Sequence, residues 1–380
     1  MGDYVRQLPH QGSRDMARRP SAIMRLHIDI PLLLLLLVLS VYGLLVLYSA
    51  SGQSMEAVYR QGRYLGLAFA VMLLVAQINL KEFERWAPWL YIGGVALLVA
   101  VLLVGVGAKG AQRWLQLGGF RFQPAEVMKL AVPLVLAWFL AGRVLPPRFF
   151  AVLGALLLLG LPAGLIVVQP DLGTSLLIAS SGLFVLFMAG IGWRYIFGAV
   201  VLAAASAWPM WMYGLKEYQK QRILTMFNPE SDKLGAGWNI IQSKTAIGSG
   251  GWDGKGWLQS TQSRLDFLPE SHTDFIIAVL AEEHGLQGII LLVGIYLLIL
   301  LRGFWIGAQA QTSFGRMMAG SLTLTFFVYI FVNMGMVAGL LPVVGVPLPL
   351  VSAGGTSVVT LLAGFGVLMA ISTEKASATT

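Results

Sequence analysis

About ten stretches of this chain are apolar over roughly the 20 residues that a helix needs to cross a bilayer. They run near Ile30 to Leu47, Tyr64 to Ile78, Trp86 to Val106, Pro124 to Leu140, Phe149 to Val168, Thr174 to Gly190, Trp193 to Tyr213, Thr273 to Leu301, Met317 to Leu340 and Gly355 to Ile371. Hydrocarbon offers a peptide group no water to bond, so each run has to satisfy its own backbone as a helix. Only 12% of residues are charged and mean hydropathy is +0.75, where a soluble domain has about 25% charged residues. The expected fold is all-α: a polytopic integral membrane protein with about ten transmembrane helices.

The basic residues set the expected orientation. Arg14, Arg18, Arg19 and Arg25 precede the first run, and no small-residue cleavage signature follows it. It is therefore expected to be an uncleaved anchor with its N terminus in the cytoplasm. An even number of spans returns the C terminus there too. Residues 1–29 then form a basic cytoplasmic tail, 30–371 the transmembrane domain and 372–380 a short cytoplasmic tail. Lys81, Arg85, Arg143, Arg148, Arg194, Arg302, Arg316 and Lys375 fall on the inner side, and Arg60, Arg63, Lys109, Arg113 and Arg121 on the outer. The inner excess has the expected sign, and it accounts for the net charge of +8 without nucleic acid.

One connection is unlike the others. Residues 214–272 form an outer loop with no span-length apolar run, and loops of this length are usually functional or disordered. Trp238, Ile240, Ile241, Trp252, Trp257 and Phe267 within it favour an ordered loop. Its glycine-rich GSGGWDGKG fails the phosphate-loop pattern, because Ser249 stands at the first glycine position and Gly256 follows Lys255. The chain has no cysteine and four scattered histidines, so no disulfide and no preformed His/Cys metal site is expected.

The candidate chemistry lies at the ends of the apolar runs. In LPESHTDFIIAVLAEEHG, Ser271 or Thr273 can cap a helix with Asp274 in its first turn, where the helix dipole favours a carboxylate. The alternative is that Asp274, with His272 beside it, faces a site at the membrane boundary. On an unbroken helix to Leu301, Glu282 and Glu283 lie several turns deep, and Glu282 is either a partner for a basic group on a neighbouring helix or part of the chemistry. Glu126 and Lys129 share one face of the helix opening at Pro124, either as a self-satisfied pair or as an anion site continuing the basic segment with Lys109, Arg113 and Arg121. Asp171 in QPDLGTS reads as a helix cap.

The runs GAKGAQRWLQLGGFRFQPAEVMK, QPDLGTS, FNPESDKLGAGWNIIQSKTAIGSGGWDGKGWLQSTQSRLDFLPESHTDFIIAVLAEEHG and PLPLVSAGGTS resemble, in order and over nearly the whole chain, the SEDS family of shape, elongation, division and sporulation proteins. NIIQSKTAIGSGG and STQSRLDFLPE are similar to the elongation branch; departures are Ala353, where the family often has an aromatic residue, and Ser260 in STQS. The resemblance implies a peptidoglycan glycosyltransferase of the bacterial cytoplasmic membrane that polymerises lipid II on the outer side. It further implies a class B penicillin-binding protein, the transpeptidase, and other elongation-machinery proteins as partners. Asp274 would be the essential carboxylate, with Arg113, Glu126, Lys129 and His272 binding substrate. No cofactor is fixed by the residues; a divalent cation (Mg or Mn) could assist the departing pyrophosphate, though no dedicated cage is visible. The competing expectations are a lipid II flippase, which would place its charges near the midplane on broken helices, and a scaffold for the transpeptidase.

Overall fold

The computed structural model describes residues 27–108, 111–117, 120–232, 235–264, 268 and 271–374. Arg14, Arg18, Arg19, Arg25, Lys109, Phe267 and Lys375, and the side chain of Arg121, lie outside this description. The helices are α1 (Ile30–Ala50), α2 (Met55–Ala76), α3 (Leu80–Val104), α4 (Pro124–Ala141), α5 (Phe149–Val168), α6 (Leu172–Met188), α7 (Trp193–Pro209), α8 (Glu217–Phe227), α9 (Ala236–Gly250), α10 (Thr261–Arg264), α11 (Ile276–Gln309), α12 (Ser313–Val337) and α13 (Thr356–Ser372). A three-stranded antiparallel meander, β1 (Val106–Ala108), β2 (Ala111–Leu117) and β3 (Phe120–Phe122), joins α3 to α4.

Every apolar run contains a helix, so the chain is an all-α integral membrane protein. Seven helices are long and apolar enough to cross a membrane among the described residues, while α6 and α13 are apolar but have 17 residues each. The helix α2 begins at Met55, well before its apolar run, so Arg60 and Arg63 lie on a helix and not in the expected loop. The segment between α3 and α4, expected as an outer loop, is likewise more regular than expected, since it pairs as strands.

Helix ends show why these residues stop and start where they do. Asp29 caps α1 by accepting from Leu32 N at 3.0 Å, ahead of Pro31 in the first turn. Its carboxylate also receives Arg302 of α11 through two bonds, at 3.1 and 2.7 Å, which ties the first and eleventh helices at one end of the bundle. Thr312 caps α12 through Gly315 N, and Asp171 caps α6 through Thr174 N. In the interior, Tyr296, Phe326 and Phe365 form an edge-to-face chain with centroids 5.7 and 5.1 Å apart that links α11, α12 and α13. The helix α4 is the hub, packing on α3, α5, α6, α12 and α13. In contrast α7 has no buried residue and runs into a π turn at Met210–Gly214; Trp193, Phe197, Leu202 and Trp208 on it suit a lipid surface.

The helix α11 is not the unbroken rod expected from its sequence. Its 34 residues would span about 51 Å, well beyond the roughly 30 Å of a hydrocarbon core. Gly285, at φ 60° and ψ −157°, breaks it and leaves a short segment before the membrane-length portion. The glycine-rich loop splints that break. Lys255 N and Gly256 N donate to Glu282 O and Glu283 O, both at 2.9 Å, and Leu286 N and Gln287 N donate to Gly251 O and Trp252 O at 3.0 and 3.3 Å. The freed helix carbonyls and amides thus find partners. Gly254 sits so close to Glu283 O, and Gly250 to Ala281 O, that a Cβ at either would collide with backbone. Gly250 and Gly254 of GSGGWDGKG thus serve close backbone approach.

Candidate active site

At the end of the bundle where α4, α6, α11 and α13 begin, the chain encloses a cavity of about 1120 Å³. Arg113, Glu126, Lys129 and Asp274 all line it, as do Asp171, Tyr218, Arg222 and Tyr329. His272 does not. Its backbone carbonyl instead accepts from Ala353 N at 3.0 Å, so it helps fix the turn that carries Asp274. That turn is a second departure from the sequence reading: α11 begins at Ile276 with Phe275 as its cap, so Asp274 precedes the helix and is not in its first turn. The carboxylate of Asp274 is half-buried and lies beside Gly345, where a Cβ would stand 3.4 Å from Oδ2.

The basic corner is built from three elements. The strand β2 carries Arg113, whose guanidinium donates to Pro170 O at 2.5 Å and approaches Asp171 at 3.7 Å. On α4, Lys129 Nζ donates to Glu126 at 2.7 Å, and Thr360 donates to the second oxygen of the same carboxylate at 2.7 Å. Lys129 also stands 5.5 Å from the ring centroid of Tyr329. Glu126 and Lys129 therefore satisfy each other and still line the cavity. Asp171 likewise caps α6 and lines the cavity. Arg222 on α8 makes no ion pair with a described residue, and its guanidinium lies 5.9 Å from the Tyr218 ring. The cavity lining carries three cations, Arg113, Lys129 and Arg222, and three carboxylates, Glu126, Asp171 and Asp274; Arg113 and Lys129 are held by Asp171 and Glu126.

Glu282 and Glu283 lie outside this cavity. Glu282 is fully buried and accepts from Lys255 Nζ at 2.6 Å, Ser260 Oγ at 2.6 Å, Thr261 N at 3.0 Å, Thr261 Oγ1 at 2.7 Å and Gln262 N at 3.3 Å. That donor set offsets the cost of a buried charge. Glu283, equally buried, accepts from Ser49 Oγ and, at 3.3 Å, from Ser260 N. Both glutamates clamp the loop between α9 and α11 to α11. The basic partner of Glu282 comes from that loop and not from a neighbouring helix, because the break at Gly285 brings the loop into the helix.

Sequence reasoning missed Tyr218 and Arg222, which lie four apart on one face of α8. That spacing in a loop with a charged, amphipathic stretch was the available signal. Among the described residues no group of three or more His, Cys, Asp or Glu side chains is placed to hold a metal ion.

Comparison with known proteins gives a consistent answer. Residues 30–377 match a family model described as cell cycle protein, FtsW/RodA/SpoVE. The peptidoglycan glycosyltransferase MrdB of Escherichia coli K12 is 55% identical over 351 residues, which is 92% of this chain and 95% of that protein. A probable peptidoglycan glycosyltransferase FtsW of Geobacter metallireducens is 36% identical over 358 residues, covering 91% and 95%. Among solved structures, a chain of a peptidoglycan synthase complex that coordinates polymerization and crosslinking superposes with a TM-score of 0.80 at 31% identity, over 90% of this chain and 97% of that one. The rod shape determining protein RodA of Thermus thermophilus superposes at 0.69 with 28% identity, over 90% and 96%.

Proposed function

The chain belongs to the FtsW/RodA/SpoVE family of cell cycle proteins, and from that premise we propose that it is a peptidoglycan glycosyltransferase that polymerises lipid II during cell elongation, with Asp274 as general base. The observation that carries this reading is the convergence of Asp274, Arg113, Glu126 and Lys129, from three separate segments, on one cavity of about 1120 Å³. That volume exceeds the roughly 300–1,000 Å³ of ordinary small-molecule sites and suits a disaccharide on a pyrophosphate.

In the proposed step the Asp274 carboxylate accepts the proton of an acceptor sugar hydroxyl as that oxygen bonds to the donor's anomeric carbon. The bond from this carbon to the pyrophosphate oxygen breaks, and its electron pair leaves with polyprenyl pyrophosphate. One displacement inverts the anomeric configuration. A carboxylate is a far weaker base than the alkoxide it would have to generate, so proton transfer accompanies attack and does not precede it. Arg113 and Lys129 stabilise the charge developing on the leaving group, and Glu126 holds the Lys129 ammonium in place. A class B penicillin-binding protein is the proposed partner, and both chain termini are proposed to be cytoplasmic, with the cavity on the opposite side.

A flippase is the second reading, because a broken helix is a transporter trait. The break at Gly285 counts against it: it is closed by backbone bonds from the outer loop and does not line the cavity. Reconstituting the protein with its transpeptidase partner in liposomes containing fluorescent lipid II separates the two. Glycan strands are the expected product; transbilayer movement of lipid II with no glycan would overturn the polymerase reading.

A further inference from the structure

Asn333 is a fully buried amide in the second half of α12, within a run that carries no charged residue and no other amide side chain. Its Nδ2 donates to Asp274 O at 2.9 Å and to Val346 O at 2.8 Å. These two carbonyls belong to the two segments that meet at the Asp274 carboxylate: the turn before α11, and the extended stretch after α12 in which Gly345, at φ 75°, lies against Oδ2. One amide group therefore sets the separation of the carboxylate from the wall facing it. Tyr329, four residues earlier on the same face of α12, lines the cavity, so Asn333 stands one turn along the helix from the lining. Ser352 adds a parallel tie, donating to Thr273 O at 2.5 Å and accepting from Leu348 N at 2.9 Å.

We propose that Asn333 is the positioning residue of the glycosyl-transfer site, fixing the Asp274 carboxylate by bridging the carbonyls of Asp274 and Val346. The proposal rests on the reading of Asp274 as base. Asn333 has no place in the lining of the cavity, so it acts on the chemical step through Asp274 and leaves substrate capture to the cations. A polar group in a transmembrane helix is costly unless bonded, and packing alone would be served by leucine. What leucine cannot supply is two donors on one planar group, which hold both segments at a fixed spacing.

The test compares wild type, Asn333→Leu and Asn333→Ser, each purified with the transpeptidase partner, by initial rates of lipid II polymerisation and by thermal unfolding. Asn333→Leu keeps the number of side-chain heavy atoms, at a somewhat larger volume, and removes both donors; Asn333→Ser retains one and serves if the leucine variant does not fold. A displacement near 1 Å costs about 100-fold in rate, so kcat is expected to fall by about 10–100-fold while KM for lipid II stays within about twofold, with serine losing less than leucine. The same substitution in an Asp274→Asn background is expected to add little, since the group it positions is gone. Equal losses in both backgrounds, a loss confined to KM, or wild-type kcat in a folded variant would each overturn the proposal. Wild-type activity of Asp274→Asn alone would instead remove the base assignment, and the positioning role with it.

Discussion

Replacing Gly285 by alanine tests the account of the helix break quantitatively. Its φ of 60° with ψ of −157° lies in a region essentially reserved for glycine, so a side chain there costs about 1–3 kcal/mol in backbone strain. The added Cβ would also meet Gly254 N and stand 2.5 Å from Trp252 O. Both are backbone atoms, which cannot rotate aside, so the loop has to retreat by about 1 Å to restore ordinary contact. Of the four backbone bonds that splint the break, losing two would cost about 2 kcal/mol. The sum is about 3–5 kcal/mol, which at about 2 °C per kcal/mol for a chain of this size lowers the unfolding midpoint by about 6–10 °C. Gly294→Ala is the control, because it lies on the same helix with no atom within 4 Å of a built Cβ. It is expected to be neutral or slightly stabilising. The assay is thermal unfolding of the detergent-purified protein. An alanine at 285 that melts with wild type would refute the splint.

Two further outcomes follow from the cavity. Lys129→Met leaves Glu126 as a buried carboxylate without its cation, so we expect a loss of about 3–5 kcal/mol in stability together with loss of polymerisation, read by thermal unfolding and glycan yield. Arg113→Ala removes a partly exposed cation whose side chain is 36% accessible; it is expected to weaken lipid II binding by about 10-fold or less, with a weaker dependence on salt than wild type, measured by titration at two ionic strengths.

Much of the fold was legible because the bilayer leaves little choice. A run such as Ile30 to Leu47 has to be a helix, and its polar flanks show where it ends. The convergence of Glu126 and Lys129 with Asp274 was legible only through motif resemblance, since nothing in their separate segments says that α4 and the turn before α11 share a cavity. The break in α11 was hidden because Gly285 sits in an otherwise good helical pattern, and the partner that completes it, Gly250 to Gly256, is a loop with no periodicity. The same break moved Glu282 from a membrane-depth carboxylate to a clamp on Lys255. His272 looked like a site residue by adjacency, but residues next to each other in a turn point in different directions, and its contribution is a backbone carbonyl. Asn333 carried a signal that was available: a lone amide in an apolar run needs partners.

The most direct test of the central claim is to measure both lipid II affinity and polymerisation rate for Asp274→Asn in complex with the transpeptidase partner. A general base contributes about 10² to 10⁴ in rate, so kcat should fall by that factor while lipid II binds as tightly as to wild type. Polymerisation at the wild-type rate by a folded Asp274→Asn complex would contradict the account.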